Sequence, residues 1–155
     1  MGVYVDALLA TMVSESERLE LDVIQLHGRE PPERVEALSG AGLEVWKVVK
    51  PASAAELLEA AARYRSAALI LVEGSSDRGH GGVGASFDWD AVADATGRLP
   101  AGTVLGVGGG LTPENVAAAV RRFRPALVDV SSGVEAAPGR KDMDRVAAFI
   151  RAARG

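Results

Sequence analysis

Two small-residue turns carry the clearest chemistry in this chain. Gly108-Gly109-Gly110 closes the apolar run 104–107, and Ser131-Ser132-Gly133 closes the apolar run 127–130. A turn without bulky side chains lets backbone N–H groups approach a ligand closely, and such N–H groups bind anions. Thr112 and Pro113 follow the first turn as a good N-cap and a good first helical residue. Two turns of this kind on consecutive parallel strands would lie side by side and cradle one phosphate. The alternative is that the glycines only permit tight turns.

The elements that must position these turns alternate. Strands are expected at 3–5, 23–26, 45–49, 68–72, 104–107 and 127–130. Helices are expected at 7–20, 31–38, 53–64, 88–96 and 142–153, with one opening at Thr112 between the two turns. A glycine-rich loop, 74–85, follows the fourth strand. Six strand–helix units in alternation imply a parallel α/β fold, and with no linker or low-complexity tract the chain reads as one domain, 1–155.

Strand parity refines the fold. Side chains on a strand alternate between faces. Val23, Gln25 and His27 share one face; so do Val45, Lys47 and Val49, then Leu69, Leu71 and Glu73, then Leu127, Asp129 and Ser131, and on the first strand Tyr4 and Asp6. Each of these faces carries a polar residue near its C-terminal end. The opposite faces, such as Ile24 with Leu26, Ile70 with Val72, and Val128 with Val130, are apolar and suited to helices. A barrel with its site at the C-terminal ends of the strands explains this better than an open doubly wound sheet. Polar residues entering loops are the competing explanation.

Composition narrows the partners. The chain has 155 residues, 48% hydrophobic and 25% charged, as in ordinary globular domains. A net charge of -4 gives no reason to expect nucleic acid or an anionic membrane. Cysteine is absent, which removes disulfides, thiolate metal ligands and any cysteine base. No run approaches a membrane span, so the default location is cytoplasmic.

The motifs together resemble one family. QLHG at 25–28, GGVGASFDW at 81–89, GGLTPENV at 109–116 and VDVSSGVE at 128–135 occur in order, with PGRKD at 138–142. The chain resembles phosphoribosylanthranilate isomerase of tryptophan biosynthesis, from residue 2 to the end. The resemblance implies a TIM-barrel-like parallel (βα) barrel of which six of eight units are present, because family members have about 200 residues, near the lower end for that fold. It implies an Amadori rearrangement of N-(5-phosphoribosyl)anthranilate, without metal or redox cofactor. It implies a phosphate anchor at Gly109, Gly110, Ser131, Ser132 and Gly133, aided by Gly82 and Gly84, and a substrate contact at Asp129.

The family's acid is an aspartate at the end of the strand that is fourth here. Register places Glu73 there, with Asp77 as second candidate and Glu73 preferred. His27, in the QLHG turn, is a substrate-side candidate, although a strand-end histidine is more often a hydrogen-bonded structural residue; His80 is read as solvent-exposed. The family's base is a cysteine on a strand with no counterpart here, and neither His27 nor Asp6 replaces it convincingly. The polypeptide is therefore expected to be a fragment or truncated form of such an isomerase, or a shortened relative with altered chemistry. A phosphate-binding remnant without catalysis is the second reading. The two outer strands would be open edges that invite self-association.

Overall fold

The structure is a computed structural model and describes residues 1–74 and 89–155. Six strands alternate with helices: β1 (Gly2–Tyr4), α1 (Leu9–Leu19), β2 (Val23–Leu26), α2 (Pro32–Gly40), β3 (Glu44–Val49), α3 (Ala54–Arg63), β4 (Leu69–Glu73), α4 (Trp89–Ala93), β5 (Leu105–Gly108), α5 (Val116–Phe123) and β6 (Leu127–Val128). A short antiparallel hairpin, β7 (Glu135–Ala137) and β8 (Arg140–Lys141), precedes α6 (Met143–Arg154).

The six strands are parallel and lie in sequential order, β1 to β6. Doubly wound sheets reverse their order at a switch point, whereas barrels keep adding strands in one direction. The order therefore agrees with the barrel reading. Among the described residues the outer sides of β1 and β6 have no strand partner, so the sheet is an open arc. Val3 on β1 is 55% exposed, as an apolar residue on an uncovered edge must be.

Local signals start and stop the helices. Pro32 opens α2 with a φ suited to the first turn. The Ser53 hydroxyl accepts from Glu56 N at the start of α3, and Asp142 accepts from Asp144 N and Arg145 N at the start of α6. The fourth helix is shorter than the expected 88–96, because the chain tightens into a 3-10 turn at Thr96–Arg98 before Pro100. Strand β6 is also shorter than 127–130. The chain leaves the sheet at Asp129 and forms a 3-10 turn at Ser132–Val134.

Register fixes the faces. Level residues of a parallel pair point the same way, so Ile24, Val45, Leu26 and Ile70 look outward, with Val72 and Val107. They are buried against Met12, Val35, Leu38, Leu57, Val116 and Phe123 of the helices. Leu69, Leu71 and Val48 form a second cluster on the inner face, with Trp46 and Leu127 at its edge.

Two strands are turned over relative to the sequence reading. Tyr4 is level with Leu26 and so faces the helices, where its hydroxyl donates to Glu15 at 2.9 Å. Lys47 is level with Leu26 and Ile70 and also faces the helices, together with Val45. The inward set on β3 is Trp46 and Val48, and Lys50 follows in the same alternation. Lys47, although polar, belongs to the outward set. Lys47 tolerates the outer layer, only 2% exposed, because its ammonium has partners there: Glu30 Oε2 at 2.9 Å, the Gly28 carbonyl at 2.7 Å and the Tyr64 ring at 5.5 Å.

Candidate functional site

The loops after β5 and β6 meet at the C-terminal edge of the sheet. Gly109 adopts φ 70°, the left-handed region that a glycine enters without strain, and a Cβ there would press on Glu73 and Gly74. Gly133 packs so closely on the next loop that a Cβ would overlap the Leu111 carbonyl. Together they bring the two turns into contact and set both beside the end of β4.

A cavity of about 100 Å³ opens between them. Glu73, Gly109, Gly110, Asp129, Ser131, Ser132 and Gly133 line it, with Leu111 and Val130. It has the size of a small oxyanion rather than of a whole sugar phosphate. The residues on its β6 side are held from behind. The Lys141 ammonium of the hairpin donates to the Ser131 carbonyl at 2.8 Å, and the Arg145 guanidinium of α6 donates to the Gly133 carbonyl. In a planar trans peptide the N–H points opposite to the C=O. Drawing the Ser131 carbonyl toward Lys141 therefore turns the Ser132 N–H the other way. Lys141 also pairs with Glu135 at 2.9 Å, which with the Gly139 N–H holds the Glu135 carboxyl below its usual value.

At the other end of the cavity Glu73 reaches toward the middle of the sheet. Its Oε2 lies 3.0 Å from His27 Nε2 and 3.9 Å from Lys50 Nζ. The Gln25 amide nitrogen sits 3.4 Å from His27 Nδ1; donation there fixes the tautomer in which Nε2–H donates to Glu73. Glu73 is 14% exposed and Lys50 47% exposed.

Behind this edge a buried carboxylate joins the β1 and β2 loops. Glu30 accepts from the N–H of Asp6 at 2.9 Å, from the N–H of Gly28 and from Lys47. Burial opposes its charge, but the Lys47 ammonium and the backbone N–H donors outweigh burial and keep its carboxyl below the usual value. The Tyr64 hydroxyl donates to the Glu30 carbonyl.

The structure thus gathers Glu73, Asp129, Gly109, Gly110, Ser131, Ser132 and Gly133 at one cavity, with His27 adjoining through Glu73. Asp6 is not on the inner face. It sits at φ 49° in the β1 loop, where its carboxylate accepts from Arg29 N at 2.7 Å. Asp77, His80, Gly82 and Gly84 lie outside the described residues. Sequence reading missed Lys50 and Glu30. The signal for Lys50 was the alternation Trp46, Val48, Lys50, hidden by taking Lys47 as the inward residue.

Parallel strands in sequential order, helices packed on one face and an anion-sized cavity at the C-terminal strand ends define a protein of the (βα)-barrel class. A family model described as N-(5'phosphoribosyl)anthranilate (PRA) isomerase matches residues 1–152. The chain belongs to that family. It is 46% identical over 160 residues to the N-(5'-phosphoribosyl)anthranilate isomerase of Paramagnetospirillum magneticum, covering 100% of this chain and 72% of that protein. The crystal structure of phosphoribosyl anthranilate isomerase from Thermotoga maritima superposes with a TM-score of 0.85 at 36% identity, over 99% of this chain and 72% of that one. A phosphoribosyl anthranilate isomerase in complex with reduced 1-(o-carboxyphenylamino)-1-deoxyribulose 5-phosphate gives a TM-score of 0.81 at 34% identity, over 99% and 70%.

Proposed function

We propose that this chain binds N-(5'-phosphoribosyl)anthranilate and supplies the phosphate anchor and the acid for its isomerisation to 1-(2-carboxyphenylamino)-1-deoxyribulose 5-phosphate. The observation that carries the reading is the single cavity shared by Glu73 and the two small-residue loops. Family membership and the solved complex of a relative with a reduced product support it.

The reaction moves a hydrogen within one molecule. An acid protonates the ribose ring oxygen as the C1–O bond breaks and a Schiff base forms at C1. A base takes the C2 proton, giving an enolamine. Its tautomerisation returns a proton to C1 and leaves a ketone at C2. One carbon is reduced as its neighbour is oxidised, so the balance needs no external electron carrier. The phosphate rests against the Gly109–Gly110 and Ser131–Gly133 turns, and Glu73, one strand away, reaches the sugar ring as the acid. Asp129 faces the same cavity and accepts from sugar hydroxyls or from the amine. Asp77 remains an alternative acid from outside the described residues.

The base must act from the opposite side of the sugar from the acid. His27 stands beside Glu73, on the same side. The Asp6 carboxylate is engaged by Arg29 N. Asp129, which shares the cavity with Glu73, is assigned to the sugar hydroxyls or the amine, so neither it nor His27 nor Asp6 is given the C2 proton. This favours the second reading for the polypeptide 1–155: binding with little catalysis. Loss of the substrate's fluorescence on incubation with purified protein tests turnover, and thermal stabilisation by the reduced product tests binding. Stabilisation with turnover depressed by roughly 10²–10⁴ supports the site without its base. Absence of both turnover and stabilisation would overturn the functional reading, and stabilisation by a flavin or nucleotide alone would replace it.

A further inference from the structure

We propose that the N-terminal edge of the sheet carries a second binding site, for an organic polyanion of the size and class of a nucleoside polyphosphate. It lies at the opposite end of β5 from the cavity that Glu73 shares. Residues 105 to 108 of β5 separate the two edges by about 10 Å, at roughly 3.3 Å per residue. A cavity of about 620 Å³ opens there, between the 3-10 turn Thr96–Arg98 and the end of α5. The cavity at the C-terminal edge measures about 100 Å³. Sites for small organic ligands span about 300–1,000 Å³, so the N-terminal cavity holds a whole organic molecule and not merely one phosphate group.

Its lining combines charge with apolar surface. Arg121, Arg122 and Arg124 line it, and among the described residues no carboxylate does. Asp90 accepts from Arg122 at 2.7 Å and offsets one of the three charges. The Arg121 and Arg124 side chains have no ion pair or hydrogen bond among the described residues. Two unpaired guanidiniums thus share one cavity in a chain whose net charge is -4. Leu99, Val104 and Phe123 give the cavity an apolar side, and Val104 is 41% exposed. The helix dipole favours cations at the end of α5, but it neither opens a cavity beside them nor leaves Val104 uncovered. The charge also continues past the loop 100–103. A smaller cavity of about 180 Å³, lined by Arg65 and Gly102, shares Thr103 with the first, and Arg65 too is unpaired among the described residues. Guanidinium forks match phosphate oxygens and also stack on planar rings. The composition therefore fits a ring seated on Val104 and Leu99, phosphates on Arg121 and Arg124, and a further anionic group reaching Arg65.

Titration of the chain 1–155 with adenosine triphosphate, followed by calorimetry and backbone NMR, tests the site. Saturable binding is expected, with resonance shifts at Thr96, Thr103 and residues 121–126 and none at Gly109 or Ser132. Arg121→Gln combined with Arg124→Gln should weaken binding at least tenfold, the order expected for the loss of charge-assisted contacts. Arg18→Gln removes a charge at the end of α1 and should leave affinity within about twofold, as a site and not a diffuse field requires. Inorganic triphosphate should bind more weakly than the nucleotide, because it leaves the apolar side empty. Absence of saturable binding, shifts centred on Gly109 and Ser132, or an affinity unchanged by the double substitution overturns the site. Triphosphate binding as tight as the nucleotide's overturns the organic class of ligand. Reduced 1-(o-carboxyphenylamino)-1-deoxyribulose 5-phosphate, added to the same samples, should bind whether or not the nucleotide is present. Its binding without the nucleotide's sinks this proposal alone and leaves the functional reading standing.

Discussion

At Gly133 one hydrogen atom decides whether two loops can touch. A methyl group there meets the Leu111 carbonyl, so Gly133→Ala must push the β5 and β6 turns apart. The expected cost is about 1–3 kcal/mol of stability. Binding of the reduced product should fall further than stability alone accounts for; urea unfolding beside calorimetry separates the two. A Gly133→Ala protein that binds normally would mean that the cavity is not the phosphate site. At Glu73 the expectation is different. Glu73→Gln keeps the shape and removes the acid, so it should leave binding within a few-fold while any turnover falls by roughly 10²–10⁴. The fluorescence assay and calorimetry read these separately.

Glu30 is the residue where pH acts on stability. Its carboxyl lies below the usual value in the folded chain despite burial, because Lys47 and backbone N–H groups hold the charge. A depressed folded value means that the contribution is present above the unfolded value, about 4.5, and is lost as pH falls through the folded value. Unfolding in urea at a series of pH values should show this acid-side loss, and Glu30→Gln should flatten it. Lys47→Met removes one partner of a pair in which both residues are 2% exposed, so it should cost about 3–5 kcal/mol near neutral pH. A Lys47→Met loss below 1 kcal/mol would show that Glu30 finds another partner.

At the scale of elements, the strand ends matter more than the strand centres. Each inward strand end delivers its group at a height set by register: Glu73 level with Gly108, and Lys50 level with Glu73 by continuation of the β3–β4 pairing. The hairpin β7–β8 and α6 then support the last turn through Lys141 and Arg145. Asp142 caps α6 beside this support. Asp142→Ala is expected to cost about 1 kcal/mol in unfolding free energy. It should also weaken phosphate affinity, because Arg145 sits in the first turn that Asp142 organises. An unchanged affinity for inorganic phosphate would separate the hairpin and helix from the site.

At the scale of the whole molecule the sheet is an open arc with β1 and β6 at its edges. Val3, Val5 and Leu8 are exposed apolar residues along the β1 side. Unpaired edges with apolar side chains associate. The polypeptide 1–155 is expected to sediment as a concentration-dependent oligomer, and Val3→Lys should shift it toward monomer. A monomer at every concentration would show that the edges are masked by other means. The chain spans about 72% of the length of the relatives it matches. In the described residues no helix is long and apolar enough to cross a membrane.

The sequence alone determined the alternation of strands and helices, the two small-residue turns and the carboxylate at the end of the fourth strand. These are local properties: apolar runs of strand length, capping residues such as Ser53 and Asp142, and glycines at turns all act within a few residues of themselves. The hairpin after the second turn was not legible, because strands of three and two residues carry almost no pattern. The faces of β1 and β3 were decided only by tertiary structure. A strand's alternation says which residues share a side, not which side is inward, and Lys47 lies on the helix side because Glu30, distant in sequence, meets it there. The same long-range pairing that buried Lys47 turned Lys50 toward Glu73, and no local pattern could have told those two lysines apart.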